Sequence, residues 1–218
     1  MALSTARLEG IGEAVRARLD RVHEAREAAF TDSRAAIRAA SKAIRAVHRG
    51  EDPTDLLDEA DALLRSAQSR CAPFPQLTGS GPVADADKER CEARLFLALA
   101  RGEALPEPEA LDADDAAWLG GLAEAVGELR RAALDHLRSG EVAAAETLVG
   151  RMDDVYALLI TIDYPDGITG GLRRSTDVTR GILERTRGDV TTARLQARLG
   201  EALEAHRRDV LDAGPEAG

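Results

Sequence analysis

Aromatic side chains are nearly absent from this chain, which carries three Phe, two Tyr and one Trp, 3% of 218 residues. Strands draw on aromatic and β-branched residues, so their scarcity argues against a sheet-built core. Cysteine is equally sparse: Cys71 and Cys91 stand apart without close metal-type spacing, which excludes a zinc cluster and a disulfide-stapled secreted scaffold and fits a reducing intracellular compartment. No apolar run is long enough to cross a bilayer. The opening MALSTARLEGIGEAVRARLD lacks an apolar export core and carries Glu9 and Glu13, so a soluble, cytoplasmic protein without membrane association is expected.

Other absences narrow the chemistry. The chain has no Gly-rich phosphate loop, no Cys/His nucleophile pair and no GxSxG elbow, so nucleophilic catalysis by a side chain has little support and metal-activated water is the chemistry that remains. The four histidines, His23, His48, His136 and His206, are dispersed without ligand spacing, and most are expected at the surface. An excess of positive charge is missing too: the net charge is −10, against a protein that coats nucleic acid generally, although local patches stay open. No repeat of fixed period points to a helical solenoid.

What dominates is Ala, Leu, Arg and Glu, with 44% hydrophobic and 31% charged residues. These side chains lose little freedom in a helix, so the fold class is all-α, and the length suits one domain over residues 1–218. Residues 4–49 contain no proline and predict one very long first helix or two nearly collinear ones, ended by Gly50-Glu51-Asp52-Pro53. Further helices are expected over 54–71, 83–101, a stretch capped by Asp112 or Asp114 and running to 138, 141–162, and from 169 to about 210 with a split near Gly188-Asp189. Residues from about 212 to 218 read as a frayed tail.

One stretch, SRAAIRAASKAIRAVHRGE at 33–51, is strongly patterned. At about 100° per residue, Arg34, Arg38, Lys42, Arg45 and Arg49 fall in one narrow sector with His48 at its edge, and Ile37, Ala40, Ile44 and Val47 occupy another side. Like charges four residues apart cost a few tenths of a kcal/mol per pair in an isolated helix, so such a stripe suits an anionic partner such as phosphate. The alternative is a solvated face whose arginines pair with acids of other helices.

A second feature is acidic. Glu89 and Glu92 are three residues apart, Glu124 and Glu128 four apart, so each pair shares one helix face, and two such helices side by side could hold a hard divalent cation. Glu89 and Glu92 share their sector with Ala93, Phe96 and Leu99, where bare carboxylates are costly unless paired or metal-bound. Gly120, Gly121 and Gly127 surround the second pair and permit close approach of another helix or a substrate backbone. On pattern alone, a solvent-facing acidic surface competes with the metal site.

Three stretches together carry a resemblance: the basic run at 33–51, KERCEA at 88–93, and YPDGITGGLRRSTDVTRGILERTRGD at 164–189. The chain resembles the translin and translin-associated factor X (Trax) family, most closely its archaeal, Trax-like branch. The family's E-x-x-E-A motif is matched by Glu89, Glu92 and Ala93, and its acid pair before a Leu-Arg step by Glu124 and Glu128 in AVGELRR. The resemblance implies a seven-helix subunit with a very long N-terminal helix, assembled into a hollow, football-shaped homo-octamer. It further implies that Glu89, Glu92, Glu124 and Glu128 form an inward-facing, Mg²⁺-dependent endoribonuclease site acting on single-stranded RNA.

Arg34, Arg38, Lys42, Arg45 and Arg49 are then the expected RNA-backbone contacts. Two positions depart from the family pattern: Arg90-Cys91 replaces an aromatic or aliphatic pair, and Glu124 stands where Asp is familiar. The longer Glu124 arm can shift an ion by about a bond length, and Mg²⁺ tolerates little departure from octahedral geometry, which brings slower turnover or a preference for Mn²⁺ into view. Two other classes stand beside the enzyme: a non-catalytic module binding single-stranded RNA or single-stranded DNA, and a helical scaffold.

Overall fold

The computed structural model describes residues 5–77 and 81–212, and all regular structure among them is helical. Seven α-helices follow in order: α1 Thr5–His48, α2 Thr54–Cys71, α3 Pro82–Arg101, α4 Asp115–Arg138, α5 Val142–Leu159, the single turn α6 Asp166–Thr169, and α7 Leu172–Asp212, with short 3-10 turns at Pro75–Leu77 and Glu109–Leu111. The expected all-α, seven-helix architecture with a very long first helix is what is observed. The expected tail at 213–218 lies outside the described residues.

Helix α4 sits at the centre and packs against α3, α5, α6 and α7, while α1 lies across α2 and α3. The reason is visible in the side chains. Along α1, Ala36, Ala39, Ala40, Ala43 and Ala46 are buried, and small residues repeating at this spacing form a shallow ridge on which neighbouring helices can settle closely. The bulk of the core comes from Leu95, Phe96, Leu122, Val126, Leu129, Met152, Leu159 and Leu183, all fully buried. Each buried side chain of this size contributes about 1.5–3 kcal/mol relative to exposure, so α3, α4, α5 and α7 supply the bulk of the main core.

Most helix ends fall where the sequence places them. Asp114 caps α4 by accepting a hydrogen bond from the Ala116 amide at 2.9 Å. Helix α5 stops at Leu159, short of residue 162, because the β-branched run Ile160-Thr161-Ile162 is a poor continuation and the Thr161 hydroxyl donates to the Leu158 carbonyl at 2.7 Å. A single helix from residue 169 is not found. Gly170 and Gly171 both take positive φ, 61° and 87°, which breaks the ladder between α6 and α7. The split near Gly188 is likewise absent: α7 runs unbroken, clamped to α4 where Arg130 Nη1 donates to Thr186 Oγ1 at 2.9 Å and pairs with Asp189 Oδ2 at 2.9 Å.

Both long helices extend past the packed bundle. On α1, burial begins only at Ala29, leaving Leu8, Ile11, Val15 and Leu19 exposed; on α7 it ends at Val190, leaving Leu195, Leu199, Leu203 and Val210 exposed. These residues recur at spacings of three, four or seven, so each helix end carries an apolar stripe that no other described residue covers. No helix among the described residues is long and apolar enough to cross a membrane.

Candidate metal centre

Helices α3 and α4 run side by side where the acids lie, with position 88 against 124 and position 92 against 121, the order expected of antiparallel neighbours. Gly121 makes the approach possible: a Cβ there would come within 2.6 Å of the Glu92 amide nitrogen and 2.8 Å of both Cys91 Cβ and the Lys88 carbonyl oxygen. With α4 pressed this close, Glu89, Glu92 and Glu124 bring one carboxylate oxygen each to within 4.8 Å of one another. That spread is compatible with oxygens sharing one hard cation after small side-chain adjustment.

Electrostatics sharpen the picture. Glu92 is 9% exposed, and burial, followed by the charges of Glu89, Glu124 and Glu128, pushes its carboxyl up to about 8. Glu89 is shifted upward as well, first by burial and then by Glu124. Grouped carboxylates that resist ionisation are what a divalent cation relieves. Carboxylate oxygen is also the donor type that Mg²⁺ and Mn²⁺ prefer, so the residues present fit such an ion.

Glu128 is arranged differently. It is outside the group of three, and its Oε2 accepts a hydrogen bond from His48 Nε2 at 2.5 Å, with Arg131 Nη1 at 4.0 Å. The His48 bond, more than any other influence, holds the Glu128 carboxyl below its ordinary value. His48 departs from the surface placement expected of most of the histidines. Its side chain is 5% exposed, its ring lies 4.9 Å from that of Phe96, and it is a buried partner of Glu128. Its position at the edge of the cationic sector, one turn beyond Arg45, was the signal that could have marked it.

The intervening motif residues face elsewhere. Arg90 is buried on the α2 side, donating to Asp87 Oδ1 at 2.6 Å, Asp61 Oδ1 at 3.2 Å and the Leu111 carbonyl at 2.8 Å. Arg94 pairs with Asp58 and Asp61. Cys91 packs beneath Gly121, and burial pushes its thiol up to about 12. Arg90 and Cys91 therefore brace α3 without entering the acid cluster.

The basic stripe is solvent-facing. Arg34, Arg38, Lys42, Arg45 and Arg49 are all exposed. Arg49 pairs with Glu51 at 2.6 Å and the Arg34 guanidinium lies 4.5 Å over the Phe30 ring, whereas Arg38, Lys42 and Arg45 have no acidic partner among the described residues. Pairing with acids of other helices, the alternative for this stripe, is not realised among the described residues. His48 joins the two features, since it ends α1 at the stripe and reaches Glu128 on α4.

No model of a known protein family matches the chain. Two solved structures of AfC3PO do resemble it: one alone, with a TM-score of 0.75, and one in complex with duplex RNA, at 0.76. Both are 34% identical to the chain over 86% of its length, and the match spans 98% and 97% of the AfC3PO chains. The chain belongs to the translin/Trax family. It falls with the archaeal C3PO proteins of that family. An uncharacterised protein of Methanocaldococcus jannaschii is 29% identical over 181 residues, 82% of this chain and 80% of its own length. Apo-NeC3PO, 17% identical with a TM-score of 0.68 over 88% of this chain and 99% of its own, shares the translin/Trax fold.

Proposed function

We propose that this translin/Trax chain is the subunit of a self-assembled, metal-dependent endoribonuclease. The observation that carries the reading is the meeting of Glu89, Glu92 and Glu124 within 4.8 Å at the glycine-tightened α3–α4 crossing. These three would hold Mg²⁺ or Mn²⁺, with Glu128 beside them, oriented by His48. When bound, such an ion acidifies water and offsets negative charge on a phosphate under attack.

The protein supplies the rest. Arg34, Arg38, Lys42, Arg45 and Arg49 grip the phosphate backbone, and because phosphates carry no base information, sequence preference is weak. AfC3PO holds duplex RNA, which supports RNA as the ligand class. Single-stranded RNA is the proposed substrate for cleavage, and duplex RNA and single-stranded DNA are the competitors against which it is measured. The exposed apolar stripes on α1 and α7 support self-association. The assembly proposed is a homo-octamer in the cytoplasm, with residues 1–218 acting as one domain.

A second reading has its own observation. Lys88 pairs with Glu124 and His48 with Glu128, so two of the four acids already have protein partners. A cluster neutralised in this way suits a binding module without catalysis. Incubating the purified protein with end-labelled single-stranded RNA in Mg²⁺, in Mn²⁺ and in EDTA separates the two. Fragments that appear with the metal and vanish in EDTA support the enzyme; retention without cleavage in every condition supports the binder.

A further inference from the structure

Lys88 opens the first acidic motif, and its place in the fold is unusual for a surface lysine. Its Nζ donates to Glu124 Oε1 at 2.6 Å, and its side chain is two-thirds covered. The stem lies over Gly120, where a Cβ would stand 3.1 Å from Lys88 Cδ and 3.2 Å from Cγ. The two successive glycines of α4 thus serve different neighbours: Gly121 admits the α3 backbone, and Gly120 leaves a ledge that seats this one side chain.

Charge balance says what the seat is for. Three carboxylates against one divalent cation leave a single negative charge. Glu128 does not help, since His48 and Arg131 already answer it. A carboxylate has two oxygens, and a lysine holding one of them fixes the direction of the other without touching an ion. A flexible glutamate arm gains most from such a tether.

We propose that Lys88 is a positioning residue of the metal centre: seated on Gly120 and bonded to one oxygen of Glu124, it aims that carboxylate at Glu89 and Glu92 and balances the charge left when a divalent cation joins them. It stays with Glu124 when the ion binds and acts through it. This rests on the metal-centre reading above.

The test is Mn²⁺ binding to the assembled full-length protein, followed by calorimetry and by the paramagnetic resonance spectrum of the bound ion. Lys88→Met should weaken binding about tenfold to a hundredfold, as removal of partners behind metal ligands does, and alter the bound-ion spectrum, with helicity and assembly unchanged. Gly120→Ala should weaken it in the same direction while keeping the lysine charge, because the new methyl displaces the stem. Added to Lys88→Met it should do nothing further. Lys88→Met binding Mn²⁺ as tightly as wild type, or more tightly, overturns the proposal. If Glu92→Gln abolishes binding while Lys88→Met leaves it untouched, the metal centre stands and only this inference falls. A wild-type protein that binds no Mn²⁺ removes both.

Discussion

Gly121 lies directly against the backbone of Glu92, so close that a methyl group at 121 would stand 2.6 Å from the Glu92 amide nitrogen. Backbone cannot rotate aside as a side-chain tip can. Gly121→Ala therefore forces α3 and α4 apart at the point where the acids converge. Overpacking of this kind costs about 1–3 kcal/mol, less any gain in helix propensity. Urea unfolding should show the loss, and divalent-cation affinity should drop with it.

The acids of the centre give the protein a measurable pH signature. Burial, followed by the neighbouring acids, pushes the Glu92 carboxyl in the folded protein from its ordinary 4.5 up to about 8. Between about pH 5 and about pH 8 the folded state thus binds more protons, and stability falls as pH rises. Glu89, also raised, adds to the slope. Glu128 works oppositely: its lowered value adds stability above the ordinary carboxylate range that is lost as pH drops through its folded value. Urea midpoints across this range should decline toward alkaline pH in EDTA, decline less in Glu92→Gln, and level out with Mg²⁺, whose binding displaces the proton.

Much of this site was legible in the sequence, and the limits have physical causes. Spacings of three and four place Glu89 with Glu92 and Glu124 with Glu128 on single helix faces, so local geometry alone suffices for each pair. The glycines beside Glu124 pointed to a close approach, and Gly121 makes one. Which acids converge is a tertiary fact. Glu128 turns to His48, eighty residues away in the chain, and no local pattern records that contact. Lys88 was similarly invisible as a partner of Glu124, because the seat that holds it exists only once α4 lies beside α3. The Gly170–Gly171 break was missed where a helical pattern continued on both sides, and α7 passes unbroken through Gly188 where Arg130 from another helix contacts Thr186 and Asp189 on either side of it.

Three cations of the stripe, Arg38, Lys42 and Arg45, are exposed and have no acidic partner among the described residues, so reversing two of them should leave the fold alone. Arg38→Glu with Arg45→Glu should abolish retention of single-stranded RNA with helicity intact. Wild-type affinity should fall steeply with salt, each phosphate contact adding about 0.7 to the logarithmic slope for single strands. A double variant that matches wild type over a salt series makes the stripe a solvated face and nothing more.

Exposed leucines at 195, 199 and 203 predict association. Light scattering at micromolar concentration should give about eight times the 23.2 kDa subunit mass. Leu199→Glu with Leu203→Glu should yield smaller species with unchanged helicity, since neither side chain supports the bundle core. A stable wild-type monomer would remove the enclosed assembly from the account.

The most direct measurement is cleavage of end-labelled single-stranded RNA by wild type and by Glu89→Gln, Glu92→Gln and Glu124→Gln, with RNA retention followed in the same samples. Each amide keeps the shape of the acid and discards the charge that holds a cation. Wild type should cleave in Mg²⁺ or Mn²⁺ and not in EDTA, the three variants should not cleave in any metal, and RNA retention should be undiminished throughout. Cleavage that persists in EDTA, or that survives in Glu89→Gln and Glu92→Gln, would contradict the proposed metal-dependent mechanism.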